Sequence, residues 1–132
     1  SVNMKGTFYA CRAVMPELKK SRGNIVNVTS VAGLAGNGSS IPYAMSKAAL
    51  NCMTKSLAKA FAPEVRVNAV APGPVLTRWL APHPKMIEQS LSLTPMKRAA
   101  TGDDIAAAIV FLATGTNLMT GQIMVVDGGR TM

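Results

Sequence analysis

Residues 65–73 read VRVNAVAPG. Valines at 65, 67 and 70 dominate a run too short for a stable helix, and Pro72 with Gly73 end it, so it reads as a buried strand over 65–71. Two similar runs flank it. NIVNVTS at 24–30 follows Gly23, and QIMVVDGG begins at 122. Helical patterns separate the three. Met4, Phe8, Cys11, Met15 and Leu18 recur at spacings of four and three, one stripe of an amphipathic helix over 1–20. A second helix runs from Pro42 to about Ala62, with Pro42 at its first position and Ile41 as the extended cap. Thr101 and Asp104 form a capping box for a third, whose Ile105, Ile109 and Leu112 continue at helical spacing to Gly115.

Short apolar strands alternating with helices give an α/β layer structure with a parallel sheet, joined by right-handed crossovers. A doubly wound domain of this kind opens on a strand and a glycine-rich phosphate turn, whereas these residues begin within a helix. The expected fold is therefore the C-terminal part of a Rossmann-like doubly wound sheet, with residues 1–132 as the catalytic and substrate half of one domain and the N-terminal dinucleotide-binding half absent from the given chain.

Composition fits one globular domain: 132 residues, 48% hydrophobic. No apolar run is long enough for a membrane span, and no signal-peptide core opens the sequence, so a cytoplasmic protein is expected. The two cysteines, Cys11 and Cys52, lack metal-ligand spacing, and the single histidine, His83, has none of the neighbours a metal site needs. The Asn-x-Ser/Thr matches at Asn27 and Asn37 are acceptors only in a secreted chain. The net charge of +8 is scattered apart from KKSR at 19–22 and MKR at 96–98, with little aromatic interleaving, which points away from nucleic acid.

SSIPYAMSKAAL at 39–50 carries one phenol and one ammonium four residues apart, so Tyr43 and Lys47 share a helix face. Bringing a phenol from a pKa of about 10 to neutrality costs about 4 kcal/mol. An ammonium ~4 Å away at an effective dielectric of ~20 supplies about that much. The helix N-terminus adds to it. The pair can therefore transfer a proton; the same spacing also occurs where a tyrosine packs and a lysine snorkels. Ser30 ends the first strand and PGPVLT follows the second, so both lie at the carboxyl edge where open α/β sheets bind ligands. A hydroxyl there suits carbonyl reduction or alcohol oxidation; hydrolysis would need a base and a GxSxG elbow, and Ser30 has neither. GLAGNG at 33–38 imitates a phosphate turn, but its helix begins only near Pro42, so it reads as a flexible loop beside Ser30.

Ser30, YAMSK thirteen residues later, VRVNAVAPGPVLT and the closing TGQIMVVDGG resemble, in that order, the short-chain dehydrogenases/reductases. The resemblance covers essentially the whole chain. It implies an NAD(P)-dependent oxidoreductase acting on a carbonyl/alcohol pair, with Tyr43 as acid/base and Ser30 polarising the substrate oxygen. By the same resemblance Lys47 is expected to favour the phenolate and bind the nicotinamide ribose, and Asn3 to hold a water linking Lys47 to a proton relay; by itself Asn3 is also a polar residue on an exposed turn. The resemblance also implies that Pro72 and Gly73 end a strand beside the nicotinamide, that the Val75 backbone meets its carboxamide and that the Thr77 hydroxyl contacts the carboxamide or the pyrophosphate, although Pro-Gly also simply ends strands. Residues 79–95 correspond to a substrate lid whose Leu80, Met86, Ile87, Leu91 and Leu93 form an apolar wall or an amphipathic helix on the core. A 3-oxoacyl reductase is one candidate, with Lys19, Lys20 and Arg22 facing a carrier protein; a sugar, steroid or small-alcohol dehydrogenase fits equally. The family pattern departs here in lacking the TGxxxGxG turn, the residue that chooses NAD or NADP, and NNAG. The competing reading is a catalytically silent chain serving oligomerisation or binding. A homodimer or homotetramer is implied by the resemblance, and the second stripe on the 42–62 helix, Met45, Ala49, Cys52, Ser56 and Ala60, reads as a buried subunit contact.

Overall fold

The computed structural model describes residues 2–78 and 80–132; Trp79, the first residue of the expected lid, lies outside them. Three strands, β1 (Asn24–Val28), β2 (Arg66–Pro72) and β3 (Ile123–Val126), form one parallel sheet in the order β1-β2-β3. Asn24 pairs with Arg66 and Val28 with Val70, while Ala69 pairs with Ile123 and Pro72 with Val126. The central strand is covered on both faces, and Val67, Ala69, Val70 and Ala71 are fully buried, which is why it carries small and β-branched residues rather than an alternating pattern. Pro72 belongs to the strand instead of stopping it: as the last residue it interrupts no further ladder, and its carbonyl accepts from the Val31 N–H at 3.0 Å.

A π turn, Val2–Gly6, runs into α1 (Thr7–Ser21). Of its stripe, Cys11 and Met15 are buried and Leu18 packs behind them, whereas Met4 and Phe8 are exposed. The remaining helices are α2 (Ala32–Ala35), α3 (Ile41–Phe61), α4 (Pro84–Ser92) and α5 (Gly102–Val110), the last continued by a π turn to Gly115. The cap of α3 is Ser40, one residue before the expected Ile41: its Oγ accepts from the Tyr43 N–H at 3.3 Å, and Pro42 takes the second helical position, where its missing N–H is equally harmless. The Thr101/Asp104 capping box forms as expected, and Asp104 also takes both arms of the Arg98 guanidinium at 2.6 and 3.0 Å.

Two apolar clusters cover opposite faces of the sheet. Val65 and Val67 meet Met15, Leu57, Ala58 and Phe61 of α1 and α3, while Val70, three residues on and pointing the other way, meets Ile105, Ala108 and Leu112. The steps β1 to β2 and β2 to β3 run in the same direction across the sheet, yet α3 and α5 lie on opposite faces. The two crossovers therefore have opposite hands, which corrects the expectation that both are right-handed.

Side chains lock the amino end of the sheet. The Arg66 guanidinium donates to the carbonyls of Leu112, Ala113 and Met119 at 3.0 to 3.3 Å, and Asn24 Nδ2 also donates to Ala113 at 3.1 Å. The fully buried Asn68 bonds the Met119 carbonyl at 2.8 Å and accepts from the Gln122 N–H at 3.0 Å. The bonds to Leu112 and Ala113 satisfy carbonyls left open where the helix after α5 ends.

Candidate active site

Every site residue expected from sequence falls at or near the carboxyl end of the sheet or on the helices beside it. Tyr43 stands in the first turn of α3 and Lys47 one turn later; both are half-buried. Lys47 Nζ donates to the Val28 carbonyl at 3.0 Å, which ties α3 to the last residue of β1, and lies 5.8 Å from the centre of the Tyr43 ring. Burial pushes the Lys47 amine below the usual lysine range, because a partly dehydrated ammonium is less favoured than one in water. Two residues beyond β1, Ser30 Oγ accepts from the Ala32 N–H at 3.1 Å, so its own hydrogen remains available to an oxygen of a substrate. Gly38 separates this turn from the phenol: a Cβ there would stand 2.9 Å from Ala32 Cβ and 3.3 Å from the Tyr43 ring. Ser30, Tyr43 and Lys47 thus surround the end of one strand.

Asn3 joins them through a residue that sequence reasoning passed over. Its Nδ2 donates to Ser46 Oγ at 3.1 Å, and Ser46 Oγ donates to the Tyr43 carbonyl at 2.7 Å. The Asn3 carbonyl accepts from Thr7 Oγ1 at 2.9 Å. Its amide is committed to Ser46, the neighbour of Lys47, rather than to Lys47 itself. The available signal was a small hydroxyl three residues after Tyr43, on the same side of the helix.

The second strand ends in a tight packing point. The Gly73 N–H donates to the Val126 carbonyl at 3.0 Å, and a Cβ on Gly73 would come within 2.8 Å of Asp127 Cβ, so no larger residue fits. Beyond it Val75 bridges in parallel to Ala100, using the Pro74 carbonyl and the Leu76 N–H at 3.0 and 2.8 Å. That pattern turns the N–H and C=O of Val75 itself to the opposite side, a donor and acceptor pair suited to an amide. Thr77 follows, exposed.

Within the expected lid, Leu80 is buried and belongs to the core, Ile87 and Leu91 are half-buried, and Met86 and Leu93 are exposed, so α4 is amphipathic. GLAGNG is not a flexible loop throughout: Ala32–Ala35 is helical, and Gly33 packs directly on the α3 backbone at Lys47 and Ala48. Among the described residues no group of three or more His, Cys, Asp or Glu could hold a metal, and no helix is long and apolar enough to cross a membrane.

A family model described as enoyl-(acyl carrier protein) reductase matches residues 1–131. A short-chain dehydrogenase/reductase homolog of Bacillus subtilis, YusR, is 48% identical over 130 residues, covering 98% of this chain and 100% of its own length. The chain belongs to the short-chain dehydrogenase/reductase family. A 3-oxoacyl-[acyl-carrier protein] reductase of Brucella melitensis with bound NAD superposes with a TM-score of 0.87 at 38% identity, over 99% of this chain and 50% of that one. A gluconate 5-dehydrogenase of Burkholderia cenocepacia, in complex with NADP and tartrate, superposes at 0.91 and 29% identity, over 98% and 53%. This short-chain dehydrogenase/reductase chain thus spans the whole of YusR and about half of each of the two solved enzymes. Membership fixes the Rossmann-like architecture.

Proposed function

We propose that residues 1–132 are the catalytic and substrate-binding half of an enzyme that interconverts a carbonyl and an alcohol. The observation that carries this reading is the convergence of Ser30, Tyr43 and Lys47 on the carboxyl end of β1, with Lys47 already bonded to the Val28 carbonyl. The Ser30 hydroxyl donates to the substrate oxygen, and the Tyr43 phenol, close behind Gly38, gives that oxygen its proton on reduction or takes it on oxidation. Lys47 supplies the positive charge beside the phenol and has two further N–H groups for ribose hydroxyls. Asn3, bound to Ser46, steadies the start of α1 against this turn of α3 and lies beside the path a proton relay would take. A nicotinamide cofactor, NAD or NADP, supplies or accepts the hydride when bound. The residues that would hold it are Pro72, Gly73, the outward-turned amide of Val75, and Thr77, and the N–H and C=O on that side of Val75 suit the carboxamide of such a ring.

The substrate side is the segment 79–95, with Ile87 and Leu91 of α4 toward the apolar part of a ligand. A 3-oxoacyl thioester is one fit, and Lys19, Lys20 and Arg22 at the end of α1 would then face an acidic carrier. Lys20 pairs with Glu17 at 2.8 Å and Lys19 Nζ lies 5.0 Å from the centre of the Phe61 ring, so Arg22 is the freest of the three for that role. Sugars and small alcohols fit the same chemistry. A second reading is a catalytically silent chain that works in assembly or binding; YusR, a relative called only a homolog of the family, is matched over its whole length.

Reduction of 3-oxoacyl thioesters, sugars and short ketones by the purified protein, with NADH and NADPH in turn, tests the proposal. Tyr43→Phe should leave the fold intact and lower kcat by about a hundredfold, since only the proton donor is removed. Turnover within tenfold of wild type would take Tyr43 out of the chemistry.

A further inference from the structure

The lid helix α4 is gripped at its C-terminal end. The Ser90 carbonyl accepts from Thr94 Oγ1 at 2.8 Å and from the Arg130 guanidinium at 2.8 Å, and the same guanidinium nitrogen reaches Ser90 Oγ at 3.3 Å. Lys97 Nζ adds a bond to the Ser92 carbonyl at 3.1 Å. Cations at the final carbonyls of a helix satisfy open acceptors and complement the negative end of its dipole. Ser90 and Thr94 are buried, whereas Pro84, Lys85 and Met86 at the other end are exposed and the first turn carries no acidic residue. One end is fixed to the body and the other lies on the surface.

Arg130 sits in a turn that is itself rigid. Asp127 Oδ1 accepts from the Gly129 N–H at 2.9 Å, and its Oδ2 accepts from Thr131 N–H and Oγ1 at 2.8 and 2.7 Å. Gly128 and Gly129 hold φ of 64° and 87°, values a side chain would resist. The same turn packs against Gly73 at the end of β2. It therefore touches both the strand end beside the candidate nicotinamide site and the fixed end of the lid.

We propose that Arg130 is a positioning residue: it anchors the C-terminal end of α4 by Ser90, so that the stance of Ile87 and Leu91 over the site depends on the guanidinium. The effect on substrate rests on the function proposed above; the effect on α4 does not.

Hydrogen–deuterium exchange of the α4 amides in wild type, Arg130→Ala and Arg130→Lys, beside steady-state kinetics on a 3-oxoacyl thioester, tests it. Loss of the charge-assisted bond should speed exchange in α4 by about tenfold in Arg130→Ala, with α3 and β2 unchanged, and Arg130→Lys should recover part of the protection. KM should rise by a similar factor with kcat within twofold of wild type. Unchanged α4 exchange, exchange accelerated equally in α3 and β2, or a fall in kcat at constant KM would each overturn the proposal. Should the wild-type protein reduce no carbonyl compound, the functional reading fails while exchange still decides the role of Arg130.

Discussion

Gly33→Ala sets two effects of opposite sign against each other. Gly33 lies within α2, where alanine is the better helix former by ~1 kcal/mol. Against this, a Cβ at Gly33 would stand 2.5 Å from the Lys47 carbonyl carbon, 2.6 Å from the Ala48 nitrogen and 2.8 Å from the Lys47 oxygen. All three are backbone atoms in the middle of α3 and cannot rotate aside. Restoring ordinary carbon contact at ~3.5 Å requires α2 and α3 to part by about 1 Å. Overpacking of this kind costs ~1–3 kcal/mol. The movement also stretches the bond from Asn51 Nδ2 to the Gly33 carbonyl, already 3.2 Å, on an amide whose buried Oδ1 has no hydrogen-bond partner among the described residues. Losing that bond adds ~1 kcal/mol, so the contact outweighs propensity and the variant should be less stable by ~1–3 kcal/mol. Urea unfolding followed by far-ultraviolet circular dichroism measures this directly. A midpoint equal to or above wild type, with the same slope, would show that the two helices yield and that the close approach carries no energy.

Lys47→Ala should weaken NADH or NADPH binding by about tenfold or more, because a cationic donor beside the ribose position is lost; fluorescence titration giving an unchanged Kd would reject that role. Acid should destabilise the protein through two carboxylates. Asp104, bonded to Arg98 and Thr101, is held well below the usual carboxylate range; at Asp127 burial pushes the pKa up, but the bonds from Thr131, Gly129 and Arg130 outweigh it and the net shift is downward. Folded-state pKa values below the unfolded ones give stability that is present above about pH 4 and lost as pH falls through the folded values. Thermal melts from neutrality into that acid range should therefore be steeper for wild type than for Asp127→Asn, and equal slopes would contradict it. Met45, Cys52, Ser56 and Ala60 on α3 are exposed in the single chain and Ala49 is half-buried, so this mostly small, apolar stripe should meet a second subunit. Light scattering that finds a monomer at micromolar concentration would refute the association.

Features written in neighbouring residues were legible in the sequence. The Thr101 capping box needs only a hydroxyl and a carboxylate three apart, and the strands announce themselves as β-branched runs closed by glycine or proline. The nearness of Tyr43 and Lys47 was legible because one helix carries both. Contacts between distant positions were not legible: Asn3 reaches Ser46, 43 positions away, and no local pattern records that bond. Gly33 was misread for the same reason, since a glycine that lets two helices touch looks in sequence like a glycine that lets a loop bend. The cap of α3 fell one residue away from expectation because proline is tolerated at either of the first two helical positions. The opposite hands of the two crossovers depend on which side of β2 each helix covers, and alternating valines at 67 and 70 offer both sides equally.

The bonds from Asn24, Arg66 and Asn68 to the 112–122 segment divide the molecule into two rims with different freedoms. At the amino rim, side chains are tied to main-chain carbonyls, so the geometry survives changes in the residues that own those carbonyls but not in the three that reach them. At the carboxyl rim main-chain bonds at Pro72, Pro74 and Val126 carry most of the framework, Lys47 and Thr29 add side-chain bonds to the Val28 and Val70 carbonyls, and the exposed residues of α4 are left to vary. A lineage could therefore exchange one substrate for another by editing the open rim alone, while the closed rim keeps the strands in register through every intermediate.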